Sequence, residues 1–405
     1  MIKTVLTSFT ILCLLPTVFV VGLAFHIQPV KANGTIYIEA DGSVEGTTYI
    51  VSEDNVTYIF TADIKDSIVV EKSNTIIDGK GYKLQGSGEL WSCGLNLTGV
   101  NNVTIKNTNV KNFAFGISLH NSFNNTILKN NITENSVPDL PEPKGDGIYL
   151  ASSNSNRLFE NNIMSNECGI YLENSANNSI YHNNFIYNTV HAIRAFPDLL
   201  NAWDNGYPSG GNYWYPLYWY PYIDSNHDGT GDSPLSPGNN TDRYPLMGMF
   251  SSFNTSLGHE VNVISNSTIE DFEYFEANHT IIMHASNMSS NQTFGFIRIC
   301  IPHALMNETY QVIVNGIEPS FVNYTLYDSG THRWIYFNYQ HSTLEIIIVP
   351  EFPSFVLLPL FMIATLLAVI AYKKKKSNLF NLHNVMGKTK IIALFMHANL
   401  KEKLF

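Results

Sequence analysis

Charged side chains are scarce in this 405-residue chain, at 14% of the total, and basic ones are scarcer, with 23 Lys plus Arg against 34 Asp plus Glu. Between residues 33 and 350 the balance is 13 basic against 32 acidic, a net −19, and most other basic residues lie beyond Tyr372. A surface of that sign repels a phosphate backbone, which excludes nucleic acid as a partner. Cysteine is sparse as well. With Cys13 set aside in the N-terminal apolar run, only Cys93, Cys168 and Cys300 remain, an odd number that leaves at least one thiol unpaired within the chain.

What the chain has in quantity is repetition. Ile105, Ile127, Leu158 and Ile180 are separated by 22, 31 and 22 residues; Val110, Ile132, Ile163 and Phe185 step identically, as do Gly116, Gly147, Gly169 and His191. The long step is 22 plus nine, and the extra nine residues fall between Ile132 and Gly147, in the Pro-rich run Val137 to Lys144. Self-similarity at this period marks a solenoid, in which stacked units share one core that no unit could bury alone. Short alternating runs such as Gly-Ile-Tyr-Leu at 147–150 and 169–172 are separated by Asn pairs, which is strand and corner chemistry. Three short strands and three bends in 22 residues describe a coil of a parallel β-helix.

The alignment makes a test of the cysteines. Cys93 precedes Gly94 as Cys168 precedes Gly169, so both fall in one column, with Phe115 and Asp146 between them. Three rungs at about 4.8 Å separate them by roughly 14 Å, beyond the roughly 7 Å that a disulfide spans between Cα atoms. Free, buried thiols are expected.

Both ends carry apolar runs. Residues 1–32 hold Lys3, an apolar stretch from Val5 to Phe25, and Ala32 before Asn33, the pattern of a secretory signal. Phe355 to Tyr372 is long enough to cross a bilayer, and Lys373 to Lys376 follow at once, which places residues 373–405 in the cytoplasm and 33–350 outside. Asn-x-Ser/Thr triplets at Asn55, Asn254, Asn266, Asn278, Asn287, Asn291, Asn307 and Asn323 fit an exported, glycosylated surface.

Several stretches together resemble a known family. The opening TIYIEADGSV, the rung NTIIDGKGYKLQG, the GIYL rungs, and NAWDNGYPSGGNYW followed by an Asp-rich loop and NNTDRYPLMG are similar to NosD-type parallel β-helix proteins, in their archaeal surface-protein form. The resemblance covers about residues 34–248. It implies a right-handed parallel β-helix; the family name refers to a periplasmic factor linked to copper supply, and the wider repeat class is associated with carbohydrate binding and sugar-polymer cleavage. Pro350-Glu351-Phe352-Pro353-Ser354 before the second apolar run resembles the PEF-CTERM sorting signal of exported archaeal proteins, which implies cleavage and transfer to a lipid. Such tails stop soon after the basic cluster, whereas this chain continues to Phe405, so a plain single-pass anchor is the competing reading.

The expected organisation is all-β: signal 1–32, capping strands 33–73, β-helix rungs 74–200, an aromatic and Asp-rich cap 201–250, an antiparallel β-sandwich 251–350, a transmembrane helix 355–372 and a basic tail 373–405. Sandwich strands are expected at Thr280–His284, Phe294–Ile301, Tyr310–Val314, Trp334–Tyr339 and Leu344–Val349, without the 22-residue period.

Three groups of residues suggest chemistry. Trp214, Trp219 and Tyr222 belong to an aromatic run after Arg194 that either closes the solenoid or stacks on sugar rings. Asp224, Asn226, Asp228, Thr230 and Asp232 supply oxygen at alternate positions around Gly229, as a calcium loop does, although Leu235 stands where a complete EF-hand loop has Glu. Asp146, Arg157 and Glu160 are the candidates for sugar-polymer cleavage, which needs paired carboxylates or a carboxylate with a basic partner; a solvated polar ladder is the alternative. Copper is disfavoured, since His120, His182 and His191 lie on different rungs without sulfur partners. The reading that follows is a membrane-anchored extracellular β-helix protein that binds glycans or cell-surface proteins without catalysis. The alternatives are a polysaccharide lyase or hydrolase and a copper-related maturation factor.

Overall fold

The computed structural model describes residues 34–136, 145–194, 199–216, 223–237, 240–306, 310–340, 344–351 and Lys373. The signal, the run 355–372 and the tail after Lys373 lie outside them; no helix among the described residues is long and apolar enough to cross a membrane.

Corners set the architecture. Asn107, Lys129, Glu160 and His182, spaced by 22, 31 and 22 residues, all have φ between 53° and 59°. The sets Asn102, Asn124, Ser155, Asn177 and Asn112, Glu134, Ser165, Tyr187 are left-handed in the same way. Asn tolerates this conformation best, but Lys, Glu and Tyr are held in it too, so the stacked rungs impose the corner rather than the corner residue.

Between corners the chain runs in short strands with side chains alternately in and out, and each strand pairs in parallel with its equivalent one rung away. Three sheets result. The first has eight strands, including Thr35–Ile38, Ser67–Val70, Cys93–Thr98, Phe115–His120, Asp146–Ala151, Cys168–Glu173 and Val190–Arg194. The second aligns Ile105 with Ile127, Ile127 with Leu158 and Leu158 with Ile180; the third aligns Val110 with Ile132, Ile132 with Ile163 and Ile163 with Phe185. These inward columns merge into one buried core that runs from Ile36 to Trp214.

The start of the solenoid differs from expectation. Thr35–Ile38 and Ser67–Val70 are parallel members of the first sheet, and Thr57–Phe60 of the second, so residues 35–70 already form rungs. Only Val44–Glu45 and Ile50–Val51 add antiparallel edges, and they close the end by pairing its outermost strands.

The sandwich has two antiparallel sheets of five and four strands around a separate core that includes Val263, Ile281, Ile299 and Ile346. All five expected strands are present, joined by Met249–Asn254, Glu260–Ser265, Ser267–Phe275 and Phe321–Asp328. Pairing shifts register within each of the last two, which breaks the simple alternation their sequences would otherwise show.

The two units are joined tightly. Asn131, Asn162 and Asn184 form an outer file in which each amide nitrogen donates to the oxygen of the preceding Asn, at 2.7–2.8 Å from Asn109 onward. The last, Asn184, exchanges two hydrogen bonds with the backbone of Phe250, at 2.9 and 2.8 Å. Lys129 reaches Glu260 at 2.6 Å, and a shared apolar cluster gathers Ile186, Tyr213, Phe250 and Phe296 with Met164, Met247 and Met249.

Candidate functional site

The outer face of the first sheet carries a file of aromatic rings. Phe115 occupies one outward column; Tyr149 and Tyr171 are register partners in the next. Trp91, just before the strand Cys93–Thr98, extends the file and is 75% exposed. Ring centroids are 6.3 Å apart from Trp91 to Phe115, 5.3 Å from Phe115 to Tyr149 and 5.7 Å from Tyr149 to Tyr171. Only the step from Tyr149 to Tyr171 follows the rung spacing of a parallel β-helix, about 4.8 Å; Phe115 meets Tyr149 from a column three residues away along the strand. The Tyr149 hydroxyl donates to the Glu173 carboxylate, and burial followed by that carboxylate raises the phenol above its ordinary value. Sequence reasoning passed over these rings because they are spread through the repeat instead of clustering.

Asp146 opens the next strand of the same sheet, between Phe115 and Cys168 in register. It is buried. Arg157 and Glu160 do not join it. Arg157 begins a strand of the second sheet, where its guanidinium lies over Phe159 and donates to the Tyr181 hydroxyl at 3.0 Å. Glu160 sits at the following corner, 3.5 Å from Lys129. The three candidates for cleavage therefore occupy three separate places, and the acid–base pair that the reaction needs is not assembled from them.

Trp214 faces inward. It is 3% exposed, and its ring stacks on Phe185 at 4.3 Å with an interplanar angle of 5°. The strand Tyr213–Tyr215 pairs in parallel with Asn184–Ile186, so Trp214 is the final member of the Phe185 column. This corrects the expectation that Trp214 could stack on sugar: no ring face is left for one. Trp219 and Tyr222 lie outside the described residues.

The buried asparagines follow the corners. At the three sets of corners named above the left-handed residue is succeeded by a buried one, and three files of buried asparagine side chains bridge the rungs. In one file the amide N–H of Asn130 donates to Asn161 Oδ1 at 3.1 Å, Asn161 to Asn183 at 3.1 Å and Asn183 to Asn212 at 3.0 Å. A second runs through Asn125, Asn156, Asn178 and Asn201 to Asn240, and a third through Asn135, Asn166 and Asn188. The first file ends on Asp242, whose Oδ2 accepts from Asn212 N at 2.9 Å. Asp204 stands nearby in a two-pronged pair with Arg243, at 2.9 and 2.6 Å.

The Asp-rich loop closes on itself. Asp224 accepts from the amides of Asp228 and Gly229, both at 2.9 Å, Asp228 from Thr230, and Asp232 from Ser225. Asn226 donates to Asp228 at 3.1 Å. Among the described residues no three His, Cys, Asp or Glu side chains gather as a metal site would require. Beneath the loop lies Arg298, 1% exposed and packed so close that a Cβ at Gly229 would lie only 2.9 Å from its Cδ. Arg298 donates to the Pro208 carbonyl and supplies positive charge to Asp228 and Asp224 from below. The sequence offered no sign of this, because Arg298 comes from a strand of the sandwich some seventy residues further along.

The cysteines keep the expected column. Cys93 pairs with Phe115, Phe115 with Asp146 and Asp146 with Cys168, and none of the three cysteines forms a disulfide. Cys168 and Cys300 are buried, whereas Cys93 is only half-buried. Burial pushes the Cys300 thiol up to about 12. Among the triplet asparagines, Asn266 is already engaged, donating to the Phe294 carbonyl and accepting from Phe296 N.

With this geometry in place, a family comparison agrees with the stacked parallel sheets. Residues 26–217 match the family model described as periplasmic copper-binding protein (NosD). The chain carries a NosD-type β-helix. Copper itself does not fit the side chains of this NosD-type helix. The Nε2 atoms of His182 and His191 face the carbonyls of Ser209 and Pro216, at 3.0 and 3.3 Å, His120 is exposed, and Met164, Met247 and Met249 pack in an apolar cluster. No curated protein matches the chain. Among solved structures, the Dettilon tailspike protein (gp208) is similar at 12% identity over 71% of this chain, with a TM-score of 0.26. Full-length tailspike protein 2 from an Escherichia coli O157:H7 bacteriophage is similar at 10% identity over 71%, with a TM-score of 0.24. The chain spans 65% and 55% of the lengths of those two proteins.

Proposed function

We propose that this protein is an exported surface β-helix that binds carbohydrate along the outer face of its first sheet, without catalysis. One observation carries the reading: Trp91, Phe115, Tyr149 and Tyr171 form a continuous chain of ring contacts across successive rungs, at centroid spacings of 6.3, 5.3 and 5.7 Å. That spacing is close to the length of one sugar residue in an extended polymer, and aromatic faces stack on the apolar faces of sugars while hydroxyls bond the edges. The periplasmic description of the NosD family and the apolar runs at residues 1–32 and 355–372 support export and anchoring.

The test is a glycan array probed with the exported part of the chain, followed by titration of the ligands found. Retained binding in a Trp91→Ala, Tyr149→Ala double variant would end the proposal. The cleavage alternative is read in the same experiment: turnover of a bound polymer that disappears in Asp146→Asn would replace a binding role with an enzymatic one.

Calcium belongs to the proposal as a stiffener of the Asp-rich loop. Asp224, Asn226, Asp228, Thr230 and Asp232 bring five oxygen-bearing side chains within nine residues, and an extracellular site needs only millimolar affinity. Arg298 is its competitor, since it already supplies a cation from within the protein.

A further inference from the structure

Resting on the carbohydrate reading above, the charge around the aromatic file selects among sugar polymers. The strands Cys93–Thr98, Phe115–His120, Asp146–Ala151 and Cys168–Glu173 carry two carboxylates, Asp146 and Glu173, and no Lys or Arg. Glu89, two residues before Trp91, is exposed, and Glu167 lies just before the last of those strands. Glu173 is exposed at the end of its strand and already accepts from the Tyr149 hydroxyl, which places a carboxylate directly at the edge of the stacked rings. After burial, the carboxylates that bear on Tyr149 and Tyr171 are Glu173 and Asp146, and both raise the phenols. The first basic residue in this sheet beyond the file is Arg194, the last residue of the following strand.

A uronic acid or sulfated polymer laid on this face would bring its anions against Glu173 and the flanking Glu89 and Glu167, with no cation on the strands to receive them. An amino sugar would bring an ammonium group to Glu173. We infer that the ligand is a sugar polymer without acidic groups, and that free amino sugars are preferred over their N-acetylated counterparts through Glu173. The stacking surface supplies affinity common to all of them. The charge supplies the choice.

Three tetrasaccharides decide this in mildly acidic buffer at low and at physiological salt: glucosamine, N-acetylglucosamine and galacturonate tetramers. Glucosamine is expected to bind about fivefold more tightly than the N-acetylated tetramer at low salt, the size of one exposed ion pair, with the gap narrowing as salt rises and galacturonate weakest. Glu173→Gln is expected to bring the ratio of glucosamine to N-acetylglucosamine affinity to about one without lowering the melting temperature, because the amide oxygen of the substituted side chain can still accept from Tyr149. Galacturonate binding as tight as the neutral tetramer overturns the inference, as does a glucosamine preference that survives Glu173→Gln. If galacturonate binds best and Trp91→Ala abolishes it, only the charge class falls; if none of the three binds, the site falls and the inference with it.

Discussion

The indole Nε1 of Trp214 donates to Asp242 Oδ2 at 2.9 Å, at the end of the buried apolar core. The same carboxylate accepts from Asn212 N at 2.9 Å and from Tyr244 N at 3.2 Å. Asp242 thus ends both the inward column that runs from Leu84 through Val110 to Phe185 and Trp214 and the file of amides that begins at Asn130. A carboxylate is suited to the place because the last rung presents N–H donors with no further rung to receive them.

Burial pushes the Asp242 carboxyl up to about 7 from 3.8. The folded state therefore holds a proton that the unfolded chain has released, so this group stabilises fully below pH 3.8 and loses its contribution as pH rises through about 7. His182 works in the opposite sense: burial lowers it from 6.5 to about 4, so its contribution is complete above 6.5 and is lost as pH falls through 4. The two slopes oppose one another between pH 4 and 6.5, and Asp242 acts alone above that. Melting temperature is expected to drop from pH 6.5 to 8 in the native chain and to lose that drop in Asp242→Asn. An unchanged drop would show that Asp242 does not hold the proton.

The amide files set the cost of interrupting a rung. Asn161 accepts from Asn130 N, and its own nitrogen donates to the Ile127 carbonyl at 2.9 Å. Asn161→Ala would leave both backbone groups buried without these bonds, a loss of about 3 kcal/mol. Asn131, on the exposed outer file, is expected to cost less than about 1 kcal/mol on the same change. Denaturant titration of the pair separates the two; equal losses would mean that the inner file does not hold the rungs.

Close approach between rungs explains the glycine column. A Cβ on Gly147 would lie 2.7 Å from the Gly169 carbonyl oxygen and 3.0 Å from Asn166 Nδ2. Gly147→Ala therefore has to push one rung from the next, and a destabilisation of about 2 kcal/mol is expected by chemical unfolding. Loss below about 0.5 kcal/mol would indicate that the rungs separate easily here.

Calcium is tested by stability. With millimolar affinity, 10 mM calcium should add roughly 1.4 kcal/mol, seen as a raised unfolding midpoint that Asp228→Ala removes. A midpoint that is the same in calcium and in chelator assigns the loop to Arg298 and its own hydrogen bonds.

The aromatic file separates binding from folding. Trp91 is exposed and outside the core, so Trp91→Ala is expected to lower glycan affinity at least tenfold with the melting temperature within a degree or two of the native value. A large fall in melting temperature would make Trp91 a packing residue instead.

Period and polarity alone determined that this chain stacks. Ile105, Ile127, Leu158 and Ile180 could be placed in one file from spacing, because a repeat that buries its apolar residues only against its neighbours has to keep them in register. The column of Cys93, Phe115, Asp146 and Cys168 followed by the same arithmetic. Tertiary structure decided everything that depends on residues far apart in the chain or on which way an end folds. Trp214 turned inward because Phe185 left a ring-sized place above the last rung, whereas Trp91, at a bend, had none and stayed in solvent. Arg298 reached the Asp-rich loop from another domain. Local sequence specifies alternation and corners, which are short-range; exposure and partnership come from the completed packing, and on that packing the binding face depends.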